Sequence, residues 1–137
     1  MPPTVFADTF YWIAIARPRD PWHATVLSWT ASHRQTRIVT TDEVLVEYLN
    51  GLSKAGRTAR QHATATVHRI RNNPKAIVLP QTRADFDAAL ALYESRLDKD
   101  YSLTDCRSME AMRSLGVSEV LSNDHHFNQE GFKVLFP

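Results

Sequence analysis

Four acidic residues sit where chemistry is easiest to build: Asp8, Glu47, Asp105 and Asp124. Asp8 follows the β-prone run Thr4-Val5-Phe6-Ala7, and Asp124 follows the run Glu119-Val120-Leu121-Ser122. Asp105 falls in the first turn of a predicted helix, where the helix dipole favours an ionised carboxylate. Glu47 lies one turn inside the helix that follows the second strand. Carboxylate oxygens suit hard divalent cations such as Mg²⁺ or Mn²⁺ rather than zinc. Several carboxylates held close together repel one another, and a divalent ion relieves that repulsion. Such an ion can lower the pKa of water and stabilise charge on a phosphoryl group. Each acid also has an ordinary structural reading: Asp8 as a turn former, Asp105 as a helix-start acid, Glu47 as a surface residue, Asp124 as the opener of the turn Asn123-Asp124-His125. It is their shared placement at the starts and ends of elements that points to a site.

The elements that must position these acids alternate between strand and helix. Thr4–Ala7 reads as a first strand, and a helical stretch follows with Trp22, Val26 and Trp29 on one face. Arg37–Thr40 reads as a second strand. Thr41-Asp42 offers an N-cap to a helix carrying Val44, Leu45, Tyr48, Leu49 and Leu52 as an apolar stripe. A mostly polar helix from Thr58 to Arg71 turns Ala63, Val67 and Ile70 inward, and Asn72-Asn73-Pro74 breaks it. Ala76–Leu79 is a third strand. Thr82 caps a helix with Phe86, Leu90, Tyr93 and Leu97 at helical spacing. Thr104 is expected to cap the next helix, which buries Met109, Met112 and Cys106 and closes at Gly116. Glu119–Ser122 and Phe132–Leu135 are the fourth and fifth strands. The alternation predicts an α/β fold with a mainly parallel sheet. Ligands in such sheets bind outside the carboxyl ends of the strands, where the four acids can converge.

The 137 residues suit one compact domain, 1–137, with a core that needs no disulfide. The single cysteine excludes an internal disulfide, and the Cys/His spacing of structural zinc sites is absent. The first residues lack the basic region and apolar run of a signal peptide, and no apolar stretch is long enough to span a bilayer. A cytoplasmic protein without a membrane segment is expected. The formal net charge of +1 conceals an uneven distribution. No acid lies between Glu47 and Asp85, an interval that holds Lys54, Arg57, Arg60, Arg69, Arg71, Lys75 and Arg83 with His62 and His68. This is either a solvated basic face or a polyanion-binding surface beside the acids.

Four segments, in order, resemble the motifs of PIN domains. Val5-Phe6-Ala7-Asp8-Thr9-Phe10-Tyr11-Trp12 resembles their opening. Thr41-Asp42-Glu43-Val44-Leu45-Val46-Glu47-Tyr48-Leu49 resembles the segment that supplies the second acid. Tyr101-Ser102-Leu103-Thr104-Asp105-Cys106 resembles the third motif. Leu121-Ser122-Asn123-Asp124-His125-His126-Phe127 resembles the fourth, with a hydroxyl residue two before the Asp and a Phe three after. The size is similar to VapC-like toxins of prokaryotic toxin–antitoxin pairs. The resemblance implies a three-layer α/β/α domain and an endoribonuclease dependent on Mg²⁺ or Mn²⁺, in which activated water attacks an RNA phosphodiester in line. It maps Asp8, Glu47, Asp105 and Asp124 onto the metal-binding, catalytic acids, with Thr9, Asp42, Thr104 and Ser122 as their supports. It also implies a cognate antitoxin and a homodimer, and makes Lys54, Arg57, Arg60 and Arg69 candidates for RNA contact. A PIN-like module that binds RNA or protein without cutting is the alternative.

Other residues carry less. Glu43 lies one turn before Glu47 on a similar face and competes for the role of second acid. His125 and His126 read as solvated loop histidines rather than a proton shuttle. Tyr11, Trp12, Trp22 and Trp29 could stack on bases, but their spacing reads better as core or dimer surface. Cys106 reads as a buried small hydrophobe. A haloacid-dehalogenase phosphatase would need a second Asp where Phe10 stands, and a receiver domain would need an acid where the third strand ends in Leu79-Pro80. A dinucleotide-binding turn would need glycines that Asp8-Thr9-Phe10-Tyr11 lacks.

Overall fold

In the computed structural model, which describes residues 2–137, five parallel strands form one sheet in the order β3-β2-β1-β4-β5. The strands are β1 (Thr4–Ala7), β2 (Arg37–Thr41), β3 (Ala76–Leu79), β4 (Glu119–Leu121) and β5 (Lys133–Val134). The helices are α1 (Thr9–Ala16), α2 (His23–Ser32), α3 (Asp42–Gly51), α4 (Arg57–Asn72), α5 (Arg83–Ser95), α6 (Leu103–Leu115) and α7 (His126–Gln129). They flank the sheet as a three-layer α/β/α domain, as the alternation of elements predicts. β1 is central, and its Val5, Phe6 and Ala7 are all buried. An uninterrupted apolar run is what a parallel strand covered on both faces requires.

The strand order reverses at β1. The chain steps outward from β1 to β2 to β3, then crosses back to place β4 on the other side of β1. That reversal opens a crevice at the carboxyl ends of β1 and β4. The register there sets Ala7 opposite Leu121, so the next residues along, Asp8 and Ser122, emerge side by side.

Side-chain caps fix three helix starts. Thr41 Oγ1 accepts from the Val44 N–H, Thr82 Oγ1 from the Asp85 N–H, and Ser102 Oγ from the Asp105 N–H. Each such cap is worth about 1 kcal/mol. The third corrects the expectation at Thr104, which lies inside the first turn of α6. Ser102 and Asp105 form a reciprocal capping box, and that pair sets the helix start two residues earlier.

Two helices escape the spacing argument. α1, Thr-Phe-Tyr-Trp-Ile-Ala-Ile-Ala, is apolar nearly all round and has no polar face to reveal a period. α7 is a single turn. In α5 the period is right but the face is reversed. Ala89 and Leu92 are buried, while Phe86, Leu90 and Tyr93, with Leu97 just beyond the helix, are exposed. Tyr11 and Trp12 are buried, and the half-buried Trp22 and Trp29 pack edge-on against Phe136. Four of the aromatic side chains expected at a core or dimer surface therefore belong to the core side of the molecule, and only Phe86 and Tyr93 remain outside it. No helix among the described residues is long and apolar enough to cross a membrane.

Candidate metal centre

Asp8 is the residue between β1 and α1, in extended conformation at φ −82° and ψ 167°. Its carboxylate does not cap α1 and lies within reach of the charges of Asp105 and Glu47. It is 8% exposed, and its Oδ2 accepts a hydrogen bond of 2.9 Å from Ser122 Oγ. The same Ser122 Oγ accepts from the Asp124 N–H at 3.1 Å, tying the first acid to the backbone of the fourth. Glu47, in the second turn of α3, accepts a 2.5 Å hydrogen bond from Thr9 Oγ1 at the start of α1. Thr9 and Ser122 are thus in contact with the acids that the sequence assigns them to support.

Asp105 does two things. Its Oδ2 accepts from the Ser102 N–H at 3.1 Å, completing the capping box, and its carboxylate faces the other acids. Asp124 likewise opens a turn, with Oδ1 accepting from the His126 N–H at 2.9 Å, while its carboxylate remains in the cluster. Both residues keep their structural roles, and their carboxylates lie in one group.

Burial and like charge act together on the cluster. Burial pushes the Asp8 carboxyl up to about 7, with Asp105 and Glu47 adding to the rise against the hydrogen bonds from Ser122 and the Thr9 backbone. Burial also raises Asp105, helped by Asp124 and Glu47. Desolvated carboxylates that repel one another hold protons in place of the positive charge they are arranged to accept. A divalent cation fits this donor set. The tightest group is Asp105, Asp124 and His126, whose donor atoms all lie within 4.8 Å of one another. Asp8 and Glu47 extend the cluster inward from it.

His126 corrects the sequence reading. His125 is exposed, but His126 is half-buried and its Nδ1 lies 3.2 Å from Asp124 Oδ1 and 3.6 Å from Asp105 Oδ2. The turn at Asp124, whose side chain accepts the His126 N–H, fixes the backbone of that residue beside the acid. The pattern Asp-x-His was the available signal.

The PIN domain profile matches residues 5–133 of the chain. The chain belongs to the PIN domain family. Among solved structures, this PIN domain resembles the Mycobacterium tuberculosis toxin VapC20, described as cleaving the sarcin-ricin loop, with 26% identity and a TM-score of 0.82 over 93% of this chain and 95% of that one. FitAcB from Neisseria gonorrhoeae shares the fold at 14% identity, with a TM-score of 0.65 over 95% of each chain. Among curated proteins none matches significantly in sequence.

Two of the expected supports make no side-chain hydrogen bond to an acid of the cluster. Asp42 Oδ2 accepts from the Gln81 N–H at 3.0 Å, so the side chain fastens the start of α3 to the loop after β3 instead of bracing an acid. Thr104 neither caps α6 nor belongs to the Ser102–Asp105 box. Glu43 is held by Arg107, whose Nε lies 3.1 Å from Glu43 Oε2 and whose Nη2 lies 3.4 Å from Asp85. Arg107 is buried, and Glu43 is the charge that balances it between α3 and α6. Glu47, not Glu43, is the acid whose charge acts on Asp8 and Asp105. Lys54, Arg57, Arg60 and Arg69 are exposed at the start of and along α4, which packs against α3 and β3. A shallow depression on that helix is lined by Arg57, Arg60, Gln61, Thr64 and His68. Burial raises the Cys106 thiol to about 11, which keeps it protonated and inert.

Proposed function

We propose that this PIN domain is an endoribonuclease dependent on Mg²⁺ or Mn²⁺, and the toxin of a cytoplasmic toxin–antitoxin pair. The observation that carries the reading is the convergence of Asp8, Glu47, Asp105 and Asp124 from four separate elements on the sheet's switch point, with Asp8 held near 7 by burial and like charge. The likeness to VapC20 supports RNA as the substrate class and an antitoxin as the partner. When bound, the cation supplies a more acidic water and neutralises charge on the phosphoryl oxygens.

The chain's own residues prepare the site. Ser122 fixes one Asp8 oxygen, and Thr9 fixes Glu47. The capping box orients Asp105, and the turn orients Asp124. Asp124 is 35% exposed at its side chain against 14% for Asp105, so the scissile phosphate approaches from the Asp124 side. Lys54, Arg57, Arg60 and Arg69 draw the polyanion to the acidic crevice, since opposed charge raises its local concentration. An arginine from the antitoxin, paired with Asp8, Asp105 and Asp124, would displace the cation and silence the enzyme. A second copy packs on the exposed face of Phe86, Leu90 and Tyr93 on α5, because apolar and aromatic side chains at such density suit an interface core. Light scattering that returns a monomer at micromolar concentration would remove the dimer.

Incubation of a mixed RNA pool with Mn²⁺ tests the activity. Cleavage should stop with EDTA and in Asp8→Asn or Asp105→Asn, both of which should keep the helical circular dichroism of the wild type. Retained full activity in either variant would sink the assignment, and RNA binding without cleavage in the wild type would leave a binding module.

A further inference from the structure

The tightest donor group in the cluster contains a nitrogen as well as carboxylates. His126 Nδ1 is shut off from solvent and has no hydrogen-bond partner among the described residues. A buried polar atom left without a partner is destabilising, so its persistence calls for something that satisfies it. It lies 3.2 Å from Asp124 Oδ1 and 3.6 Å from Asp105 Oδ2. Donors around a six-coordinate ion at about 2.1 Å lie roughly 3 Å apart, and around a four-coordinate ion slightly further. The separations seen fall close to that range.

The ring is also held in place. The Tyr101 ring packs edge-on against His126, with centroids 5.3 Å apart and planes at 64°. Tyr101 is buried and donates its hydroxyl to Glu130 Oε1 at 3.0 Å. Glu130 is in turn gripped by Arg96, at 2.6 Å, and by Arg113. This chain of contacts runs from the α5 and α6 surfaces to the wall of the site, and none of its members is an acid of the cluster. A histidine that served only as a solvated loop residue would need no such backing.

We propose that His126 is a nitrogen ligand of the cation held by Asp105 and Asp124, and that it biases this position toward manganese-class ions over magnesium. The proposal rests on the metal reading above and adds a fifth residue to it. Magnesium demands oxygen donors and keeps its waters, whereas imidazole is a good ligand for the first-row transition metals. Tyr101 is then a positioning residue, acting through the ring it supports.

Pulsed electron paramagnetic resonance of the Mn²⁺-loaded protein reads the ligand directly. Wild type and His125→Ala should show ¹⁴N modulation of the Mn²⁺ signal, and His126→Ala and His126→Gln should lose it. Calorimetry on the same proteins should show Mn²⁺ affinity falling about tenfold or more in the His126 variants, with Mg²⁺ affinity changed less than about twofold. His126→Gln keeps a side chain against Tyr101, so it guards against a fold defect in the alanine variant. Mn²⁺ bound by wild type without nitrogen modulation would overturn the proposal, and EDTA-sensitive cleavage in that sample would leave the nuclease reading standing. Failure of wild type to bind Mn²⁺ at all would overturn both.

Discussion

Asp8 and Ser122 are 114 positions apart in the chain and share a buried hydrogen bond of 2.9 Å. The serine hydroxyl donates to Asp8 Oδ2 and accepts from the Asp124 backbone, so one small side chain fixes two of the four acids. Ser122→Ala should leave the fold in place at a cost of about 1–2 kcal/mol. It should weaken Mg²⁺ or Mn²⁺ binding about 10- to 100-fold, the usual effect of removing a hydrogen-bonding partner behind a ligand. Thermal unfolding and calorimetry separate the two effects; unchanged affinity would reduce Ser122 to a turn residue.

The metal-free protein should lose stability as pH rises. Asp8 ionises near 3.8 when unfolded but only at about 7 when folded. Between those values the unfolded chain binds fewer protons at this group than the folded one, so the contribution of Asp8 is full below about 4 and declines toward 7. Asp105, raised in the same direction, adds to the slope. Glu130 acts in the opposite sense at the acid end: its three donors hold it down at about 2, so its contribution is complete only above its unfolded value of 4.5 and is lost as pH falls toward 2. Urea unfolding in EDTA at pH 4.5 and 7.5 should show the decline, and Asp8→Asn should flatten it. Added Mg²⁺ should restore stability at pH 7.5, since a ligand of the folded state stabilises it by mass action. Equal stability at both pH values in EDTA would refute the picture of a charge-starved cluster.

Glu43 and Glu47 should fail in different ways. Glu47→Gln should cut RNA cleavage by about two orders of magnitude or more with little change in stability, as expected for a group acting at the reacting centre. Glu43→Gln should instead destabilise by about 2 kcal/mol, less than the 3–5 of a fully broken buried pair, because Arg107 retains Asp85 and the Pro80 carbonyl. Its folded fraction should cleave normally. The reverse outcome, Glu43→Gln inactive and Glu47→Gln harmless, would move the second acid to Glu43.

The basic stretch of α4 is tested by salt. Reversing Arg57, Arg60 and Arg69 to Glu should weaken RNA binding and flatten the dependence of log affinity on log salt, since fewer counterions are released. All three are exposed and their hydrogen bonds are local to α4 and the turn before it, so stability should change by about 0.5 kcal/mol or less. A salt slope equal to wild type would leave the arginines as a solvated face.

Much of this protein was legible in the residues because local rules are strong. Strand and helix alternate in the sequence as they do in the fold, and Thr41 and Thr82 cap where they stand. Asp8, Asp105 and Asp124 lie at the ends of elements and Glu47 one turn inside α3, near where a parallel sheet presents side chains to a ligand. What local rules could not decide was which of two equivalent partners each side chain meets. Glu43 and Glu47 share a helix face by spacing, and only the position of the buried Arg107 on α6 draws one of them away. Asp42 and Ser122 both stand near acids in sequence, but the loop after β3 claims Asp42, while the β1–β4 register delivers Ser122 to Asp8. The stripe on α5 has the period of a buried face, yet Ala89 and Leu92 pack inward, where α5 lies against α6. His126 shows the limit most clearly. The turn at Asp124 is local and fixes the backbone at His126, but the wall of Tyr101 and the carboxylate of Asp105 that surround the ring come from distant segments. Sequence spacing determined most of the elements and nominated the acids; the partners of each charge were decided by tertiary packing, because a buried charge needs a counterpart and only the assembled fold says which one is within reach.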